Sequence, residues 1–287
     1  MRNKVLRQVK RSSFAFATFI FCVGFVGQAI AAPKAVLWPH WQTHDANNTH
    51  MIDHSAWDRL IKRNIMSGPN GINLFQYRAV TNADKEKLRR YIIALSKKPI
   101  SQFNRREQLA YWVNIYNALT VQVILRHYPV ESIRDINISP GLFTGGPWGK
   151  KLVTVEGKKI SLDDIEHRIL RPIWRDARIH YAVNCASIGC PNLQDKAYTA
   201  ANAENLLTLG AQQYINSPRG VIIKDGEIII SKIYDWFQTD FGGTEQKVIA
   251  HLLKYAKPKL KKHLKMIGEI SNFTYDWALN GVPKISQ

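Results

Sequence analysis

Residues 104–127 read NRREQLAYWVNIYNALTVQVILRH, and the fold turns on how this stretch is taken. Leu109, Trp112, Val113, Tyr116, Leu119, Thr120 and Val123 recur at helical spacing as one wide stripe. Ala110, Ile115, Ala118, Val121 and Leu125 leave the remaining faces barely more polar. A helix apolar nearly all round must be covered on most sides, so the spacing predicts a central core helix. Asn114 and Asn117 stand out against it. They lie three apart, neighbours on one face, and a buried asparagine needs hydrogen-bond partners. The expected role is to tie down the backbone of a neighbouring loop; the alternative for Asn117 is a donor in a catalytic site.

Upstream, Leu88, Ile92 and Leu95 mark an amphipathic helix that begins at an Asn82 cap and ends before Pro99. Ser55 caps a shorter helix over 56–65, and 70–80 reads as a short extended piece. Residues 33–57 are irregular and rich in His, Asn and Trp. His40, His44, His50 and His54 there have spacings that could gather a metal, with Asp45 and Asp53 assisting. Pro39 and Asn47-Asn48 interrupt any helix, so 32–54 is expected to be a mobile or surface-wrapping arm, with metal binding the minority reading.

Downstream, 151–155 and 158–160 flank Glu156-Gly157 as a hairpin. Ser161 opens S-L-D-D, a capping-box variant, and a helix over 162–170 that Pro172 closes. Asp163 is one turn from His167, while Glu166 and His167 lie outside the apolar stripe. A helix over 199–214, a hairpin around Asp225-Gly226, an aromatic cluster at 234–241, a Thr244-capped helix to about 254 and a late strand at 273–277 complete the chain. Tyr-Asp-Trp occurs at both 234–236 and 275–277. The expectation is an α+β fold: a single domain over 55–287 with a buried central helix and a small mixed or antiparallel sheet.

Chemistry concentrates at 178–191, RIHYAVNCASIGCP. Alternation predicts a strand with Ile179, Tyr181, Val183 and Cys185 on one face and His180 and Asn184 on the other. The strand delivers Cys185 to a small-residue loop that ends at Cys190-Pro191. On that geometry His180 faces away from Cys185, and His167 is the better base.

Residues 1–31 carry the signature of a signal peptide. Arg2, Lys4, Arg7, Lys10 and Arg11 precede an apolar run over 14–26, and Ala29-Ile30-Ala31 supplies the cleavage pattern. The expected location is therefore periplasmic or secreted, with no membrane span after cleavage. The 287-residue chain has a net charge of +18; without residues 1–31, 35 Lys+Arg remain against 22 Asp+Glu, a charge of +13. An exported basic protein would meet anionic envelope surfaces rather than nucleic acid, although a plain solvated basic surface with no specific partner is the leading account of the charge. The basic residues cluster only at 254–265, KYAKPKLKKHLK.

In order, REQLAYWVNIYNALT, SIRDI, SLDDIEHRILRP, RIHYAVNCASIGCPNL, SKIYDWFQTDF and YDWALN resemble the family catalogued as domain of unknown function 547, most clearly over 103–241. The resemblance implies an exported bacterial member of a family without an established activity, and supplies no substrate. Two functions follow from the residues. One is a cysteine-dependent hydrolase or acyltransferase with Cys185 as nucleophile, His167 or His180 as base, and Asn184 or Asn117 as oxyanion donor. The other is a non-catalytic envelope binding or structural protein in which Cys185 and Cys190 form a disulfide. Redox chemistry, and a metal site from His180, Cys185 and Cys190, rank behind them. No cofactor is implied.

Overall fold

Around the long helix everything else is arranged. A computed structural model describes residues 33–141 and 145–283, and residues 32–287 form a compact unit of their own. The signal-peptide segment lies outside the described residues. The elements in order are α1 (Ser55–Asn64), β1 (Ile65–Ser67), β2 (Asn73–Phe75), α2 (Asn82–Ser96), α3 (Arg105–His127), β3 (Val153–Val155) and β4 (Lys158–Ile160). A π-helical segment (Asp164–Leu170) then runs into α4 (Arg171–Trp174), and a 3-10 turn (Ala177–Tyr181) follows. The chain continues through α5 (Ala203–Ile215), β5 (Val221–Lys224), β6 (Glu227–Ser231), α6 (Ile233–Trp236), α7 (Glu245–Tyr255), α8 (Pro258–Ile267) and β7 (Asn272–Thr274).

The fold is α+β with the expected central helix. Every residue of α3 from 107 to 121 is buried, and Asn104 caps it by accepting from the Arg106 and Glu107 amides. The sheets are small: β1–β2 and β3–β4 are antiparallel pairs, and β5–β6–β7 is a mixed sheet with β6 and β7 parallel. Asp225 and Gly226 both take positive φ in the two-residue turn between β5 and β6, as the Asp-Gly signal requires.

Two apolar cores form. The larger surrounds α3; the smaller gathers α5, the β5–β6 hairpin, α7 and α8. Residues 177–183 lie where they meet. Ile179, Ala182 and Val183 belong to the first core and Tyr181 to the second. The predicted strand is therefore corrected. Alternation separates a wet face from a dry one, and here both faces are dry, so the pattern carries no strand information. The Asp176 carboxylate accepts from the Arg178 amide and starts a 3-10 turn instead.

Two further expectations change. The 199–214 helix begins only at Ala203, after a turn in which Asn202 and Thr199 bond each other's amides. Pro172 does not close its helix, which continues to Trp174. Pro172 has no N–H to give to a carbonyl one turn back, and at this junction of π and α turns the His167 and Arg168 carbonyls look outward for donors. The N-terminal arm supplies those donors: the Val36 amide bonds His167 O and the Trp38 amide bonds Arg168 O, each at 2.9 Å. Arg168 stacks over Trp38 at 4.4 Å, and buried Trp41 packs on Trp112 at 5.0 Å. The arm wraps the surface, and Trp41, Ile52 and His54 anchor it.

Candidate functional site

The cysteine loop is clamped from every side. Asn117 of α3 donates to Ala182 O at 2.9 Å and accepts from the Asn184 amide at 2.9 Å. Asn114, one turn earlier, treats Tyr198 in the same way at 2.7 and 3.0 Å. Each amide side chain thus mimics a strand edge inside the core. Asn184 donates to Pro191 O and accepts from the Ala186 amide, closing the loop on itself. Tyr214 donates to Gly189 O, and Arg219 reaches Cys190 O at 2.7 Å.

The fourth wall comes from the C-terminal segment. Ser187 pairs with Leu279 as an antiparallel bridge, Gly189 N bonds Asp276 O, and Asn280 N bonds Ala186 O. Gly189 is required there, because a Cβ would lie 2.8 Å from Asp276 N. Ala186, next to the cysteine, holds φ of 60°, a left-handed conformation costly for a residue with a Cβ. Strain is therefore stored directly beside Cys185.

Within this frame Cys185 is half-buried and Cys190 buried, and both are free thiols. Their sulfurs stand 2.9 Å apart, in contact but well beyond a bond. The Cys185 amide also points at the Cys190 sulfur, at 2.9 Å. Ser187 Oγ lies 3.2 Å and Tyr275 OH 3.1 Å from Cys185 Sγ. The Cys190 hydrogen bond, against the effect of burial and with help from Ser187 and Tyr275, holds the Cys185 thiol below its usual range. Burial pushes the Cys190 thiol well up, as does its bond to Cys185. The pair is unequal: one thiol on a half-buried residue inclined to ionise, one on a buried residue inclined to keep its proton.

Neither histidine joins this group. His180 is bracketed by carboxylates, with Nε2 at 2.7 Å from Asp240 and Nδ1 at 3.6 Å from Glu166, and its ring stacks on Phe237 at 4.3 Å. Burial opposes its charge, but the bonds to Asp240 and Glu166 raise its pKa. Arg171 donates to Asp240 at 2.5 Å and to His167 Nδ1 at 2.9 Å. Burial, reinforced by Arg171, holds His167 down at about 4. Burial resists the charge on Glu166, and His167, His180 and Arg171 outweigh it, holding the carboxyl at about 2. Tyr116 of α3 donates to Glu166 at 3.0 Å. Asp163, 3.7 Å from His167 Nε2, is pushed up to about 6 by burial and its acidic neighbours.

Of the residues singled out in the sequence, the structure brings together Cys185, Cys190 and Asn184, with Asn117 beneath them as a backbone clamp. His167 and His180 belong to a separate ionic cluster with Glu166, Arg171 and Asp240. Among the described residues no group of three or more His, Cys, Asp or Glu is placed to hold a metal ion. The reading missed Tyr275, Ser187 and Arg219. A signal for Tyr275 existed in the repeated Tyr-Asp-Trp: the two copies pack together, with Trp236 at 4.9 Å from Tyr275 and 5.6 Å from Trp277.

These features coincide with a known sequence family. The model described as "Protein of unknown function, DUF547" matches residues 100–215, and the chain is similar to that family over this segment. The match spans α3, the π-helical segment and the cysteine loop, while Arg219, Asp240 and Tyr275 fall beyond it. No curated protein and no solved structure matches the chain.

Proposed function

We propose that the chain is an exported thiol-dependent protein in which Cys185 is the attacking thiolate and Cys190 the sulfur that resolves it. One observation carries this reading: two unequal free thiols in contact at 2.9 Å. In the exchange it describes, the Cys185 thiolate attacks one sulfur of a substrate disulfide and displaces the other as a thiolate. Cys190 then gives up its proton and attacks the Cys185 sulfur. The second substrate thiol leaves, and a Cys185–Cys190 disulfide remains. Two electrons pass to the substrate, and the disulfide expected from the sequence becomes the oxidised state of the site. The spacing is wider than the C-x-x-C of the familiar oxidoreductases, but the loop fold brings the sulfurs together regardless. Localisation in the periplasm or outside the cell, following the signal-peptide signature, belongs to the same proposal, as does an anionic envelope partner.

Hydrolysis or acyl transfer by Cys185 is the second reading. Its support is the lowered Cys185 thiol and the Tyr275 hydroxyl 3.1 Å away as a proton donor. It lacks a histidine bonded to the sulfur, and it leaves Cys190 without a part.

The two separate on Cys190→Ser. With oxidised glutathione as probe, the wild type should lose two thiols and two hydrogens by mass, leaving no adduct. The Cys190→Ser variant should accumulate a stable glutathione adduct on Cys185. Cys185→Ser should give neither. Alkylation of Cys185 only above the ordinary thiol range, or absence of the internal disulfide in the wild type, would sink the dithiol reading.

A further inference from the structure

The amphipathic helix α8, followed by the segment that carries Tyr275, has one strongly basic face. Between Gln246 and Gly268 the chain holds seven lysines and no acidic residue. Leu264 is fully buried, and Leu260 and Ile267 pack against the smaller core. That fixes the helix's rotation. At 100° per residue the opposite side presents Lys259, Lys261, Lys262 and Lys265, all exposed. Lys254 and Lys257 extend the patch past the corner with α7. Among the described residues no ion pair engages any of these six side chains, so their charge faces solvent undiminished. Toward one side of the basic face, on the arc between Lys262 and Lys259, stands Met266 at 68% exposed.

We propose that this face of α8 docks on anionic phospholipid, with the lysines on the headgroups and Met266 seated at the acyl boundary. Six lysines without an ion pair, around the corner of α7 and α8, complement a negatively charged lipid surface. Met266 selects the bilayer over other polyanions, because a nucleic-acid backbone offers no seat for an exposed apolar side chain beside the lysines, whereas a membrane interface does. The apolar stripe of α8 is already used in the core, so the helix lies on the surface and does not enter it. No described helix is long and apolar enough to cross a membrane.

The test is co-sedimentation of the protein beginning at Ala32 with vesicles of phosphatidylcholine, with and without phosphatidylglycerol. Binding is expected only to the anionic vesicles and should weaken as salt rises. Lys259→Gln/Lys262→Gln/Lys265→Gln should lower partitioning roughly 100-fold, at about fivefold per lysine. Met266→Ser should weaken it severalfold, with the deficit persisting at high salt. Both variants alter exposed positions, and unchanged circular dichroism verifies their folding. Equal binding to neutral vesicles, or a triple variant that still binds, overturns the proposal. So does duplex DNA bound as tightly as vesicles with no effect of Met266→Ser.

Discussion

At the scale of single residues, the character of Cys185 is set by what points at its sulfur. A thiolate in a half-buried site survives only where donors replace the water it has lost. Cys190, Ser187 and Tyr275 do so here. Burial keeps the Tyr275 hydroxyl far from ionising, so it remains a donor. Tyr275→Phe keeps the ring packed against Trp236 and Trp277 and removes one charge-assisted hydrogen bond. Alkylation of Cys185 at neutral pH should slow on the order of tenfold, the equivalent of one such bond. A pH series of iodoacetamide labelling checks this, and an unchanged profile would mean that the hydroxyl does not support the thiolate.

At the scale of elements, α3 is both the centre of the core and the mount of the site. Its two asparagines were legible as buried polar positions on one face; which loops they hold was not. Asn117 satisfies a carbonyl and an amide that α3 would otherwise bury unpaired. Asn117→Leu should therefore cost about 2–4 kcal/mol, read as a drop in the urea midpoint. It should also loosen the cysteine loop, seen as faster labelling of the otherwise protected Cys190. Asn117→Ser, which keeps a hydrogen-bonding group, should recover part of the loss. The helix before the site misled the reading for a related reason. Pro172 looks like a terminator, yet the helix runs on past it, and the N-terminal arm bonds the carbonyls at this junction.

At the scale of the whole molecule, buried histidines shape the response to acid. Burial holds His54, His167 and His251 down at about 4, with Lys254 adding to the effect on His251. On unfolding each regains the ordinary histidine pKa of about 6.5, so the unfolded chain binds more protons between about 4 and 6.5. Stability must fall as pH drops through that window. Asp163, pushed up to about 6 by burial, and Glu107, also raised by burial, oppose this, but they are two groups against three. His180 works outside the window: its folded pKa is raised, so its contribution is complete below the ordinary histidine range and fades only as pH rises above it. The melting temperature should accordingly fall by several degrees from neutral pH to about 4.5. Calorimetry at the two values decides it, and a flat or rising profile would mean that these rings are solvated.

What the chain determined by itself is the part governed by near neighbours. The helix of 104–127 follows from periodicity, the Ser161 box and the Thr244 and Asn104 caps from residues three apart, and the β5–β6 turn from Asp-Gly. The cysteines, too, stand out in any reading. Tertiary structure decided who meets whom. Residues 177–181 fold as a 3-10 turn because two cores bury both faces of this stretch. His180 pairs with Asp240 sixty positions on, and Tyr275 reaches Cys185 only because the C-terminal segment pairs with the cysteine loop. Such pairings depend on the path of the backbone through space, which local spacing does not encode.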